Sequence, residues 1–366
     1  MDFTFSEADI EASRLAARLL SAPGRDGAAA GAGGVGADLD SSLWKELGQS
    51  GLLSLALPAE LGGDELGIQA TAAVLTEVGR HAARIPALAT LALGVLPVVR
   101  SADPRLKSRL LSGVAAGETI LTAAVREPSH PMPQRPATTA SLIGKSGTVS
   151  GVKVGVPYAA AASWILVPAS TPSGDTVVAV VEPDADGLAC QRTRSSSGLP
   201  EYTLRLADSP VLAVLDGCSV GDLYRLALAG ACAVADGVLA GALDLTTEHV
   251  RRREQFGRPL ATFQAVAQQI ADVYAAARTL HLATMSACWQ LDTGRDAGRD
   301  VDVAAYWLAE HGPAALRTCH HLHGGLGMDV TYPLPRYSAL MTDLVAFVGG
   351  AADRLDRLGA REAGGA

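Results

Sequence analysis

The chain has 366 residues, 48% of them hydrophobic and 19% charged. At roughly 150 residues per domain this predicts two or three structural units, large enough to fold without disulfides or metals, and it excludes a disordered chain. Acidic residues outnumber basic ones, 38 to 30, for a formal charge of −8. That excludes a general nucleic-acid binder, which needs a basic face.

Five cysteines are present, Cys190, Cys218, Cys232, Cys288 and Cys319, and none has a CxxC spacing. They read as buried thiols rather than a zinc or disulfide framework. The N-terminus meets Glu7 and Asp9 early, with no basic segment leading an apolar one, so no signal peptide is read. An uncharged apolar stretch, residues 85–99, holds Pro86 and Pro97. It is shorter than the about 20 residues of a membrane-spanning helix. The expectation is a soluble, cytoplasmic protein with no membrane partner.

Residues 6–20 predict a helix, and 22–38 a Gly/Ala loop. Within that loop, Gly31, Gly33 and Gly36 match GxGxxG. The dinucleotide fingerprint needs a strand before it and a helix after it, and here an amphipathic helix precedes, so a linker is read instead. Asp40 and Ser41 offer N-cap chemistry for a short helix through Trp44 and Leu47. A turn at Pro58–Gly63 leads to a helix over about 67–81, and two apolar segments reach about Ala116.

Between about 118 and 218 the texture becomes β. Short runs at 119–125, 140–143, 147–156, 163–167, 176–181 and 202–206 are separated by Gly, Pro, Ser and Asp. Such spacing predicts an antiparallel barrel or sandwich. Helical periodicity returns from Asp222, with Leu223, Leu226, Gly230, Val234 and Val238 on one face. A second seam, Phe263, Val266, Ile270, Val273, Ala277 and Leu280, suits antiparallel helix packing, within a bundle or between subunits. The last residues, from Arg361, are expected to fray. The fold class is therefore α+β and multi-domain: a helical domain at 1–117, a β-barrel or sandwich domain at 118–218, and a four-helix bundle at 219–366.

That order and several motifs resemble the acyl-CoA dehydrogenase family over nearly the whole chain. Arg253-Glu-Gln255-Phe256-Gly257, followed by Phe263-Gln264, is similar to the family's R-x-Q-F-G…F-Q signature. His321-Leu-His323-Gly324-Gly325-Leu-Gly327 is similar to its Q-x-x-G-G-x-G. Pro58 and Gly62-Gly63, after Trp44 and Leu47, match a common N-terminal pattern. The resemblance implies FAD bound across a subunit interface. The flavin ring lies in one subunit's β domain, and the pyrophosphate and adenosine lie on the neighbour's bundle. It assigns cofactor contacts to Arg253, Gln255, Phe256, Gln264, His321, Gly324 and Gly325. The chemistry agrees: an arginine pairs with a pyrophosphate, amides donate, and glycines admit close backbone approach. His320, His321 and His323 have no recognised metal-ligand spacing, and no metal is expected. His320 and His323 also read as plain helix-end histidines.

The family's reaction removes a proton from Cα of an acyl-CoA thioester, which needs a carboxylate base, and a hydride from Cβ, which goes to the flavin. One group of the family keeps its glutamate in a Y-E-G motif, which falls here on Phe347-Val348-Gly349. The other keeps it early in the first C-terminal helix, which falls here on Tyr224-Arg225. Val348 accepts no proton, and a tyrosine with an ordinary pKa near 10 is a poor base at neutral pH. No catalytic residue is therefore assigned. The flavin-side motifs also depart. T-E-P-G-A-G-S-D becomes Arg126-Glu127-Pro128-Ser129-His130-Pro131, and W-I-T becomes Gly155-Val156-Pro157 after Gly151-Val-Lys153.

This pattern resembles the base-lacking subunit of the heterotetrameric acyl-CoA dehydrogenases of actinobacterial steroid side-chain degradation. Supporting stretches are Leu75–His81, Arg84–Thr90 and His320–Pro333. The resemblance implies an α2β2 assembly with a homologous catalytic subunit. FAD would be shared across the interface, acyl-CoA bound mainly by the partner, electrons passed to a separate acceptor, and the chain inactive alone. Two alternatives stand beside it. One is a self-sufficient dehydrogenase or oxidase with a relocated base, for which Asp329, Asp343 and Glu310 are the carboxylates. The other is a purely structural partner that does not touch FAD.

Overall fold

A computed structural model describes residues 6–22, 39–101, 103–128 and 130–364. The Gly31–Gly36 run and Ser129 lie outside the described residues. The elements keep the expected α, β, α order. They assemble into two compact units that cut across that order. One holds Met1–Ala37, Ala72–Ala83 and Ala231–Ala366, and the other Asp38–Thr71 and Arg84–Gly230.

The second unit opens with α2 (Ser41–Gln49), following α1 (Glu7–Leu20) of the first unit. The Asp40 carboxylate caps α2 by accepting from the Leu43 N–H at 3.0 Å. Helix α3 (Ile68–Arg80) runs from this unit into the first. A π-helical stretch, Leu88–Val95, continues as α4 (Leu96–Val99), and α5 (Pro104–Leu111) follows, capped by Asp103. The strands are β1 (Leu121–Ala123), β2 (Arg126–Glu127), β3 (His130–Pro131), β4 (Thr139–Ile143), β5 (Ser146–Pro157), β6 (Trp164–Ser170), β7 (Thr176–Val181), β8 (Leu188–Thr193), β9 (Glu201–Val211) and β10 (Ala213–Val214). Eight of them form one sheet in the order β10-β7-β6-β4-β5-β9-β8, with β1 against β6. Its ladders are antiparallel, as the short spaced runs imply, except for β1 with β6 and the single Thr139–Ser170 pairing of β4 with β6. Those two are parallel because the chain crosses over before returning, a topology that alternating apolar residues do not encode. One face buries Val149, Val156, Ile165, Val167, Leu204 and Leu206.

The first unit is helical. It holds α1, the last part of α3, and most of α6 (Val220–Arg252). It also holds α7 (Gln264–Asp292), α8 (Gly298–His323), α9 (Leu334–Val348) and α10 (Gly350–Gly364). Residues 361–364, expected to fray, are helical. Asp302 of α8 explains this: it takes Arg354 at 3.2 Å and Arg361 at 2.8 Å, so a buried carboxylate holds α10 by two guanidinium groups. By length and composition α6 alone among the described helices would cross a membrane, but 89% of its apolar window is buried in the fold. Helices α3 and α6 touch backbone to backbone. A Cβ at Gly79 would stand 1.9 Å from the Val234 carbonyl oxygen, and one at Gly237 1.8 Å from that of Thr76. The α7 seam is buried from Val273 onward, at Val273, Ala277 and Leu280, while Val266 and Ile270 stay half-buried.

Candidate functional site

A cleft of about 920 Å³ lies in the helical unit, between the end of α6 and the end of α8. From α6 come Leu245, Glu248, His249 and Arg252, and Arg253 extends the last turn by donating its N–H to the His249 carbonyl at 2.8 Å. The chain then turns through a hairpin of β11 (Glu254–Gln255) and β12 (Arg258–Pro259). Its two turn residues, Phe256 and Gly257, both have positive φ, 53° and 75°, as the two-residue hairpin turn with matching twist requires. Arg253 also accepts at its carbonyl from the Leu260 N–H, which closes the hairpin base.

The opposite wall is the end of α8, with His321, Leu322 and His323, and the Gly324–Leu326 turn, with Tyr332 beyond it. Gly324 ends the helix at φ 59°, ψ −137°, a conformation that a Cβ opposes. Gly325 needs no special φ, and a Cβ there would meet no atom of the chain within 4 Å. Nothing within the described fold demands glycine at 325, and the space beside it opens to the cleft.

Of the residues the sequence singles out, the structure brings Arg253, Gln255, His321, Gly324 and Gly325 to this one cleft. Phe256 and Gln264 do not line it. Phe256 stands at the hairpin tip, 92% exposed, with its ring edge-on to Phe263 at 6.2 Å. Gln264 is exposed at the first residue of α7. His320 turns away, its Nε2 2.6 Å from Ser338 Oγ. Arg252 is paired with Glu248. The Arg253 guanidinium has no such partner among the described residues, and it acts on the nearby His249.

Sequence reasoning missed His249 and its stacking on His323. Their rings stack at 4.4 Å with 21° between planes, and Tyr332 lies 5.3 Å from His323. Burial and the Arg253 charge lower the His249 pKa. Burial also lowers that of His323, with His249 and His320 adding to the effect against the bond to Cys319. Both therefore favour the neutral ring. The sequence signal was the spacing of His249 four residues before Arg253, legible only once α6 was known to end there.

Val348 and Tyr224, the positions onto which the resemblance maps the base, carry no carboxylate. Val348 is fully buried at the end of α9, and Tyr224 is buried in the other unit near the start of α6. Asp329 accepts from the Thr331 N–H and hydroxyl in a turn, Glu310 is exposed, and neither they nor Asp343 line the cleft.

The sheet closes its charges on itself. Glu127 accepts from the Ala137 N–H at 2.7 Å, the Thr138 N–H at 2.9 Å, the Thr138 hydroxyl at 2.6 Å and Lys153 Nζ at 2.8 Å. Lys153 also donates to the Pro168 carbonyl at 2.7 Å. Burial pulls the Lys153 ammonium down to about 8 against the pull of Glu127. Burial would push Glu127 up, but Lys153 and Thr138 outweigh it and leave the carboxyl lowered. Arg126 meets Glu201 at 3.4 Å, and a Cβ on Gly155 would stand 2.4 Å from each of these two side chains. Arg126 and Glu201 thus fill the space beside Gly155, the position onto which the resemblance maps the family's tryptophan.

The FAD that the resemblance implies fits the cleft on two counts. An open cationic Arg253 suits a diphosphate, and Gly325 puts no Cβ into the cleft that it lines.

Comparison with known proteins bears on the family and the fold. The model of the acyl-CoA dehydrogenase C-terminal domain matches residues 224–361, and that of the N-terminal domain matches 30–118. The chain is 48% identical to acyl-CoA dehydrogenase FadE28 of Mycobacterium tuberculosis (strain ATCC 25618 / H37Rv), over 87% of this chain and 91% of that protein. Among solved structures, a variant of the steroid ACAD Tcur3481-Tcur3483 superposes with a TM-score of 0.91 at 34% identity, over 98% of both chains. The ChsE4-ChsE5 complex from Mycobacterium tuberculosis gives 0.86 at 29% identity, over 99% of both chains. By its domains, its fold and its nearly full-length relatives, the chain belongs to the acyl-CoA dehydrogenase family.

Proposed function

We propose that this chain is the non-catalytic subunit of a heteromeric, FAD-dependent acyl-CoA dehydrogenase that introduces an α,β double bond into a steroid side-chain acyl-CoA thioester. The observation that carries the reading is a contrast within one chain. Both base positions hold buried side chains without a carboxylate, Val348 and Tyr224, while the cleft keeps an open Arg253 and an open space at Gly325. Similarity to a steroid ACAD and to the two-protein ChsE4-ChsE5 complex supports the steroid substrate and a homologous catalytic partner in an α2β2 assembly.

FAD, when bound, supplies the acceptor for the hydride that leaves Cβ. The Cα proton goes to a carboxylate of the partner, which also binds most of the acyl-CoA. This chain's part is to hold. The Arg253 guanidinium neutralises and orients the diphosphate through charge-assisted hydrogen bonds. The Gln255 amide and the His321 ring add polar contacts at the rim, and the Gly324–Gly325 turn lets backbone approach. Phe256 and Gln264, outside the cleft, face the partner's share of the site. The assembly works in the cytoplasm and passes electrons to a separate acceptor.

The test is flavin per chain, measured on this protein alone and after co-expression with a glutamate-bearing homologue. Little flavin alone and one FAD per pair in the complex is the expected result. One FAD per chain in the protein alone, with turnover of acyl-CoA, would overturn it.

A further inference from the structure

We propose that the stacked pair His249–His323 reads the amino edge of the adenine in the bound dinucleotide. This rests on the reading of the cleft as the site for the polar half of FAD, and it adds what selects the base.

The argument starts at His323. Its side chain is 5% exposed, and its Nδ1 lies 2.9 Å from the Cys319 carbonyl oxygen. A carbonyl only accepts, so Nδ1 carries the proton and the neutral ring has its lone pair on Nε2. That Nε2 is buried and has no hydrogen-bond partner among the described residues. A buried acceptor left unmade is costly, so its presence marks a place where a donor arrives. His323 is among the residues that line the cleft, so we take the donor from what fills it.

The neighbouring groups say which donor. His249 stacks on His323, Tyr332 tilts against it, and all three line the cleft. Burial holds both imidazoles toward the neutral form, and the Arg253 charge adds to this at His249. Neutral stacked rings are poor phosphate ligands, and Arg253 already serves that need. They are suited to a flat heterocycle, which gains from contact with aromatic faces. Adenine carries an amino group that donates to an imidazole lone pair. Hypoxanthine carries a carbonyl oxygen at the same place, which sets acceptor against acceptor.

The experiment compares FAD with flavin hypoxanthine dinucleotide on the assembled complex, reading affinity from flavin fluorescence on titration into the apo-complex. The unmodified complex is expected to prefer FAD by roughly three- to tenfold, the span of one net hydrogen bond. His323→Phe and His249→Phe keep a stacking ring and remove the ring nitrogens. At least one is expected to bring the ratio to near one. Equal affinity in the unmodified complex, or an unchanged preference in both variants, would overturn the base reading while leaving the cleft reading intact. If the buried His323→Phe chain fails to assemble, the ratio in the unmodified complex decides the outcome, and equal affinity overturns the base reading. Retention of neither dinucleotide would overturn both readings together.

Discussion

The sheet and the helical cleft treat their charges in opposite ways. On the sheet, the charged side chains at the degenerate motif positions are closed by neighbours: Lys153 by Glu127 and Pro168, Arg126 by Glu201. At the cleft, Arg253 is left open, and a buried imidazole nitrogen has no partner among the described residues. A charge network that is complete within the fold stabilises it and offers a ligand little. An incomplete one costs stability unless something else completes it. The difference separates a region kept for folding from a region kept for binding.

The strongest way to break that comparison is to open the sheet's network. Lys153→Met strands the buried Glu127 carboxylate and is expected to cost about 3–5 kcal/mol, the range for removing one partner of a buried pair. Urea unfolding measures it. Adding Glu127→Gln removes the stranded charge and should recover a large part of the loss. A single-variant cost below about 1 kcal/mol would place the pair among marginal surface bridges and undo the structural reading.

The next effect is on binding. Arg253→Ala is expected to weaken FAD retention by the complex about 10- to 100-fold, as loss of charge-assisted hydrogen bonds does, with assembly intact by gel filtration. Arg126→Ala, on the sheet, is expected to leave flavin content unchanged. Equal flavin loss in the two variants would mean that the sheet also binds. No loss in Arg253→Ala would favour a structural partner that does not touch FAD.

A smaller and cleaner contrast lies in adjacent glycines. Gly324→Ala forces a Cβ onto a positive-φ residue and should cost about 1–3 kcal/mol of stability. Gly325→Ala meets no atom of the chain, so stability should stay within about 0.5 kcal/mol while flavin retention falls. Reversed outcomes would mean that the turn, not the ligand, requires Gly325.

The sequence carried more of the bundle than of the sheet. Helices α1, α2, α3, α6 and α7 follow from period and caps, because their stripes and Asp40 are local signals. The strand at Leu188–Thr193 was missed because its residues, apart from the half-buried Leu188, Cys190 and Thr193, are exposed, which leaves weak apolar alternation. The parallel pairings of β6 were missed because crossover is a property of topology. At the site, Arg253, Gln255, His321 and the two glycines were legible as motif. His249 was not, since its role depends on stacking against a residue 74 positions away. Phe256 and Gln264 were legible as motif, yet they stand outside the cleft, because a signature records spacing and not which wall a side chain joins.

The smallest expected effect tests whether the cleft's rings are neutral. A histidine with a lowered folded pKa binds its proton more weakly than in the unfolded chain. The unfolded state then holds more protons just below the ordinary value near 6.5, and stability falls as pH drops through that window while staying full above it. Glu77 runs the other way, because burial raises its carboxyl pKa and the folded state keeps that proton longer, so acidification favours folding there. The two slopes oppose each other, and the whole-protein curve alone does not separate them. Subtracting the curve of His249→Phe or His323→Phe from that of the unmodified protein removes Glu77, and the difference should fall on acidification below about 6.5. A difference that rises instead would mean that these histidines gain protons on folding. The cleft wall would then be cationic, matched to phosphate oxygens rather than to a base, and Arg253 would no longer be the cation that sets where the diphosphate lies.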